Sequence, residues 1–305
     1  MTNPTGLLKM RKILFPVYKK AAKILSGHGL GKFYPVRVVN NFLISHLKPP
    51  LAEVDGHKML WESGGILGVL ILGTYEPLET GLVKKEIKKG EVVLDIGANI
   101  GYYTLIFARL VGGEGKVFAF EPDPTNFSLL KKNVELNGYK NVVLVPKAVS
   151  NKTEKIRLYL SKNNKADHRI YDAHDGRQSI EIEAIRLDDY FKNYDGEIAF
   201  IKMDIQGAEG GALQGMFNLL KKNNDVKIAM EFLPIGLKRF GTEPEECLKL
   251  LTASGFTLYE IAEREKKIKP VDIPKLLEIY TPEEEKRTNL FCQREKGDSH
   301  SPLVQ

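Results

Sequence analysis

Cysteine is nearly missing from this chain, and the two present, Cys247 and Cys292, stand in segments patterned as a helix and a strand. A disulfide framework and a cysteine-built metal cluster are therefore excluded, and two buried free thiols are predicted. Long apolar runs are missing too: none approaches the ~18 residues of a membrane span. Near the N-terminus Lys19, Lys20 and Lys23 interrupt the apolar positions and no clear cleavage site follows, so a secretory signal is disfavoured. A cytoplasmic protein is the expectation. There is a single tryptophan, and no basic strand interleaved with aromatics on which bases could stack, so nucleic acid is disfavoured as a partner. The net charge of +6 comes from lysines dispersed over the chain and reads as a solvated surface.

What the sequence does have is a distinctive stretch, Val92 to Thr104. A short apolar run ends at Asp95-Ile96, passes through Gly97 and Gly101, and gives way to helical spacing with Leu105, Ile106 and Leu110 as the apolar stripe. A strand, a tight turn and a helix start are predicted. Such a turn exposes the first N–H groups of the helix, and glycine lets a ligand or a neighbouring backbone approach without a Cβ in the way.

Upstream, Leu7 to Leu25 reads as a basic amphipathic helix with Leu7, Met10, Leu14, Val17, Ala21 and Ile24 on its apolar face; it packs on its own domain or makes a peripheral membrane contact. Phe33 to Leu47 reads as a second helix stopped by Pro49-Pro50, and Asp55 to Trp61 as a turn and short strand. Downstream, strand and helix patterns alternate with short joins: strand 116–120, helix 126–136, strand 142–145, strand 198–203, a helix to about Leu220, strand 226–232, helix 244–253, and strands 256–261 and 289–293. Repeated β-α-β implies a parallel sheet covered on both faces. Two segments with period-2 alternation, 155–160 and 180–184, are predicted to pair at the sheet margin around the polar loop 161–178, and 266–287 reads as a surface excursion. The domain reading is a helical extension over 1–72, an α/β domain over 73–296 and a disordered tail over 297–305.

Two cofactor classes suit the strand-turn-helix stretch. A dinucleotide site wants a glycine where this chain has Asn99. S-adenosylmethionine has no phosphate, tolerates a side chain there, and offers a zwitterionic end that wants a carboxylate, N–H groups and polar side chains; Asp95, Asn99 and Thr104 supply these. Glu121 ends the next strand, where an acid can accept from ribose hydroxyls, in either cofactor.

The runs Asp95 to Thr104, Glu121-Pro122 and Ile201-Lys202-Met203-Asp204-Ile205-Gln206-Gly207-Ala208-Glu209, with Gly73-Thr74-Tyr75-Glu76-Pro77 upstream, resemble the FkbM-type family of S-adenosylmethionine-dependent methyltransferases. The resemblance covers roughly residues 70–295. It implies a Rossmann-like, seven-stranded, mostly parallel class I methyltransferase sheet and methyl transfer to a hydroxyl of a sugar, glycan or small metabolite. It also implies that Asp95, Gly97, Asn99, Gly101 and Glu121, with Glu76 and Ala98 from the same motifs, hold S-adenosylmethionine. Where the family often has a histidine after the acid of the fifth strand, this chain has Glu231-Phe232-Leu233-Pro234, so metal-independent activity is expected.

Asp95, Glu121, Asp204 and Glu231 all end predicted strands and should converge on one cleft. A neutral alcohol is a poor nucleophile, so methyl transfer needs a base for its proton. Asp204 is the first candidate and His168, from the polar loop, the second; Glu231 is placed to orient the acceptor. Two further readings stay open on sequence alone: a nucleic-acid methyltransferase, and a non-catalytic peripheral-membrane or scaffolding module that keeps the fold.

Overall fold

The computed structural model describes residues 14–18, 20, 51–61, 73–161 and 166–295. The chain divides into two compact units, Met1–Tyr75 and Glu76–Gln305. Most of the predicted basic helix, the whole of the predicted helix 33–47 and the tail from 297 lie outside the described residues. Where the first of these is described, residues 14–18 are helical, but the inward side chain is Phe15, while Leu14 and Val17 of the predicted apolar face are exposed.

In the first unit, strands β1 (Leu51–Val54) and β2 (His57–Leu60) form an antiparallel hairpin. Asp55 and Gly56 both take positive φ, 51° and 76°, the conformation a two-residue type I′ turn demands and Asp-Gly supplies.

The second unit opens with helix α1 (Pro77–Glu86) and strand β3 (Val92–Ile96), followed by helix α2 (Tyr102–Val111), strand β4 (Lys116–Phe120), helix α3 (Pro124–Leu136) and strand β5 (Val142–Val145). After an inserted segment come β9 (Phe200–Met203), two short helices, β10 (Lys227–Phe232), β11 (Thr257–Ala262), β12 (Lys267–Pro270) and β13 (Thr288–Gln293). The sheet order is β12-β11-β13-β10-β9-β3-β4-β5. Strands β5, β4, β3, β9 and β10 run parallel, and β13 is antiparallel between β10 and β11.

Seven of these strands make the expected α/β sheet. The eighth, β12, and a helix at Ile273–Ile279 occupy the segment read as a surface excursion. That reading is corrected: β12 pairs with β11 through backbone bonds, and Leu276 is buried. The predicted strand pair at the sheet margin is also corrected. Strands β7 (Glu154–Leu160) and β8 (Gln178–Ile185) join β6 (Ala148–Val149) in a separate three-stranded sheet, with Ala148, Leu158, Ile182 and Ala184 as its own core. Period-2 alternation reports only that a strand is half-buried, so it cannot name the sheet. The helix expected to run to Leu220 breaks at Met216, giving Glu209–Gly215 and Phe217–Lys222.

The central strands are buried on both faces. Leu94, Ile201 and Met230 face one core cluster, and Val93, Phe200 and Ala229 face the other together with Ile106 and Phe107 of α2. The chain steps outward from β3 to β4 and β5, then returns to β3's other side with β9. The strand order therefore reverses at β3, and in open α/β sheets the crevice beyond the strand ends at such a switch point is where ligands bind.

Candidate active site

The turn after β3 is shaped by what glycine permits. Gly97 has φ +82°, and a Cβ there would lie 2.1 Å from the backbone oxygen of Asp204. Only glycine lets the turns after β3 and β9 abut, a contact continued by the Asp204 N–H donating to the Ile96 carbonyl at 3.0 Å. Asn99 also sits at positive φ, 51°, which asparagine tolerates better than other side chains, and its Oδ1 accepts from the Ile100 N–H at 2.8 Å. Gly101 is the N-cap of α2.

The Asp95 carboxylate is buried and accepts from Thr104 Oγ1 at 2.5 Å, tying the strand end to the first turn of α2. Asp95, Ala98, Gly101 and Thr104 thus form the scaffold of the turn, while Gly97 and Asn99 reach the cleft itself.

Glu121 closes β4. Its Oε2 accepts from the Asn99 N–H at 2.8 Å and its Oε1 from the Asp123 N–H at 2.9 Å, and the Asn126 side chain adds a third hydrogen bond to the carboxylate. A cleft open to solvent brings Gly97, Asn99, Glu121, His168 and Asp204 together. Its remaining wall includes Asn126, Ala148, Val149, Leu158 and Ile170. These residues were not anticipated, because they reach the cleft from α3 and the small sheet only through tertiary packing. The helix predicted from Asn126 starts two residues earlier, at Pro124, and nothing local signalled which of its residues faces a ligand.

Glu76 and Glu231 do not line that cleft. Glu76 precedes α1 with φ 41° and is half-buried near Glu79, Lys202 and Asp204. Glu231 is buried in β10 and its Oε1 meets Arg287 Nη1 at 3.1 Å. Between them the sheet carries Lys202, itself 1% exposed, with Nζ 3.4 Å from Glu79 Oε1. Glu79, buried in the first turn of α1, also accepts from Tyr103 Oη at 2.9 Å and Asn289 Nδ2 at 3.1 Å. A polar layer therefore lies beneath the switch point. A lysine inside the apolar strand Phe200-Ile201-Lys202-Met203 was the sequence signal for it. Around Asp204, Gln206 Nε2 donates to Oδ1 at 2.7 Å while Gln206 itself holds φ +57°, and Glu209 Oε1 caps the turn by accepting from the Ile205 N–H at 2.9 Å.

Burial raises the acids of this region. Asp95 is pushed up to about 6, with the Thr104 hydroxyl and Lys202 opposing. Burial pushes Glu121 up to about 7 against the Asp123 and Asn99 N–H groups and the Asn126 side chain, which favour its charged form, and Glu209 likewise to about 7. For Glu76, burial and the neighbouring Glu79 act together and the pKa reaches about 10. Acids raised in the folded state bind more protons there than in the unfolded chain, so their contribution to stability is full below about pH 4 and is lost as pH rises, through 6 to 7 for Asp95, Glu121 and Glu209 and only near 10 for Glu76. The cofactor-free protein is accordingly expected to melt several degrees lower at pH 8 than at pH 5.5, with Glu121→Gln flattening that slope. A melting temperature that rises over this interval would contradict the assignment.

The sequence between residues 95 and 258, more than half of the chain, matches the Methyltransferase FkbM domain. The chain belongs to the FkbM methyltransferase family. S-adenosylmethionine is the cofactor that goes with that family, and the site suits it: a carboxylate held ready at the end of β4, a backbone turn without a phosphate-facing glycine, and an apolar wall. Similar proteins include methyltransferase sdnD of Sordaria araneosa, 30% identical over 41% of this chain and 60% of that protein. Another is the hexuronic acid methyltransferase AglP of Haloferax volcanii, 27% identical over 56% of this chain and 65% of its own. The matched region thus spans less than two thirds of these curated relatives. Among solved structures, the FkbM methyltransferase of Methylobacillus flagellatus aligns at 18% identity and a TM-score of 0.40, over 68% of this chain and 44% of that one. Among the described residues no helix is long and apolar enough to cross a membrane.

Proposed function

We propose that this protein transfers a methyl group from S-adenosylmethionine to a hydroxyl oxygen of a sugar, glycan or similar polyhydroxylated metabolite, with Asp204 as the general base. The observation that carries the reading is the contact between Gly97 and Asp204: the turn that receives the donor and the turn that presents the carboxylate touch, backbone to backbone, at the switch point.

When bound, S-adenosylmethionine supplies an electrophilic methyl carbon on a sulfonium centre. The chain's own part is to hold and to deprotonate. Glu121 offers acceptors to a diol, Asn99 and Gly97 form the floor, and Asp204 stands at the edge of the cleft with Oδ1 engaged by Gln206. Much of the rate gain then comes from fixing the acceptor oxygen close to and in line with the bond that breaks.

His168 suits the role of base less well than Asp204. Its Nδ1 accepts from the Ser161 N–H at 3.0 Å, so the lone pair that a neutral imidazole would use to take a proton is committed. Glu231, buried and raised well above the usual carboxylate range chiefly by desolvation, suits an orienting role through Arg287.

The relatives named for hexuronic acid and for protein isoaspartate keep a carboxyl acceptor in contention, and the chemistry of the product separates the two. Calorimetry with S-adenosylhomocysteine establishes the cofactor. Transfer of a tritiated methyl group to a panel of monosaccharides, uronic acids and nucleotide sugars then reads the acceptor. Label in an ether, stable to mild alkali, is the expected result. Label released by alkali as methanol, or incorporated into RNA, would overturn the hydroxyl reading.

A further inference from the structure

The turn after β9 carries a strained residue. Gln206 holds φ +57° and is 7% exposed, in the left-handed region that a straight-chain residue keeps only where its surroundings over-determine it. Two neighbours do so. Tyr171, between β7 and β8, donates from Oη to the backbone oxygen of Gln206 at 2.9 Å, and the chain just before it is tied to β7 by Arg169 and Tyr159, which exchange backbone bonds of 2.7 and 3.1 Å. Gly207 packs against Gly236, in the helix Pro234–Phe240, so closely that a Cβ on Gly207 would lie 2.4 Å from the Gly236 backbone. Glycine at 206 would take this backbone at no steric cost, so what the position gains by holding glutamine is a side chain.

Both ends of that side chain are engaged. Nε2 donates to Asp204 Oδ1 at 2.7 Å, and Arg287 Nη1 lies 3.4 Å from Oε1. An anionic acceptor at one end and a cationic donor at the other leave the amide only one way round. Arg287 meets Glu231 Oε1 at 3.1 Å, so Glu231, Arg287, Gln206 and Asp204 form one chain of polar contacts, and its last two members line the cleft.

We infer that Gln206 is the positioning residue of the general base: its amide fixes the plane of the Asp204 carboxylate through Oδ1, and Oδ2 receives the proton of the acceptor hydroxyl. The inference rests on the reading of Asp204 as that base. The proton passes to Oδ2 as the hydroxyl oxygen takes the methyl carbon and sulfur keeps the electron pair of the broken bond. A carboxylate released from the amide samples other orientations, which costs rate and leaves the hold on the donor unchanged.

The test uses Gln206→Met and Gln206→Glu in the full chain, with Gln206→Met also combined with Asp204→Asn. Methionine keeps the length of the side chain and loses both polar ends. Glutamate, ionised at about pH 8, keeps an acceptor for Arg287 and loses the donor to Asp204. Single-turnover rates are measured with tritiated S-adenosylmethionine and the sugar that takes most label in the methyl-transfer panel. They are expected to fall about 10- to 10²-fold in both single variants, while calorimetry finds S-adenosylhomocysteine bound within about threefold of wild type. In the Asp204→Asn protein, Gln206→Met should change the residual rate by less than about twofold, because the group it positions is already gone. A full rate in Gln206→Glu would mean that Gln206 serves Arg287, and would overturn the inference. So would the same fold-loss from Gln206→Met in both backgrounds, the mark of a residue that only shapes the turn, or a fall in affinity that matches the fall in rate. Thermal melts of the ligand-free variants report any loss of fold separately. If the wild-type protein labels no sugar, or Asp204→Asn alone keeps its rate, it is the reading of the reaction that fails.

Discussion

Asp204→Asn is expected to lower turnover by about 10²- to 10⁴-fold, the range a general base supplies, while S-adenosylhomocysteine affinity stays within about threefold. The substitution is chosen so that little else changes. Asparagine has the shape of aspartate, its Oδ1 can still accept from Gln206 Nε2, and the backbone bond from residue 204 to Ile96 is untouched. What it loses is the ability to take a proton from the acceptor hydroxyl. Single-turnover rates with an acceptor identified from the methyl-transfer panel, alongside calorimetry, separate the two quantities. If the asparagine variant turns over at the wild-type rate, Asp204 only caps its turn, and the base must be sought elsewhere in the cleft. If affinity falls in step with rate, Asp204 holds the donor instead. The geometry argues for a loss of rate at kept affinity, because Asp204 meets the donor turn through its backbone oxygen, while its carboxylate is engaged by Gln206.

The sequence made the donor side readable because its constraints are local. Gly97 and Gly101 take positive φ, and Asp95, Glu121 and Asp204 sit where strands end, so a short pattern of residue types carries the geometry. Alternating strands and helices likewise announced the parallel sheet. The acceptor side resisted for a physical reason. β12 is a short, proline-ended tetrapeptide that pairs with β11 through backbone bonds, one Lys269–Glu260 ion pair and the packing of Ile268, too few side chains for a pattern to record the strand. The detachment of β6, β7 and β8 into a second sheet is equally silent, although it supplies the wall formed by Leu158 and Ile170. Two acids read from motifs, Glu76 and Glu231, turned out to lie beside the cleft in the buried polar layer. Strand position alone tells which end of the sheet an acid occupies, and says nothing of whether it faces ligand or protein.

That layer leads to the second large effect. Lys202→Met is expected to destabilise the protein by about 3–5 kcal/mol at pH 8, the cost of leaving a buried charge without its counter-ion. Methionine fills the lysine stem's volume, so packing changes little and the effect isolates the charge. In register, Lys202 lies opposite Asp95 on β3 and opposite Ala229 on β10, with Glu79 3.4 Å away and the Tyr103 ring centroid at 5.2 Å. Lys202 also holds down the pKa values of Asp95 and Glu76. Its removal raises both further in the folded state; Glu76, already near 10, stays protonated at pH 5 and pH 8 either way, whereas Asp95, near 6, then keeps its proton over a wider interval, so stability falls further as pH rises. The deficit should therefore be smaller at pH 5 than at pH 8. Combining Lys202→Met with Glu79→Gln removes both partners of the ion pair, and the double variant is expected to be more stable than the sum of the two single changes predicts. Denaturant unfolding of the four proteins at both pH values measures each term. A deficit below about 1 kcal/mol at pH 8 would mean that Lys202 behaves as a weak, solvent-screened pair, and one that does not change between the two pH values would detach it from Asp95. Either result would leave hydrogen bonds alone to offset the burial of the acids under the switch point.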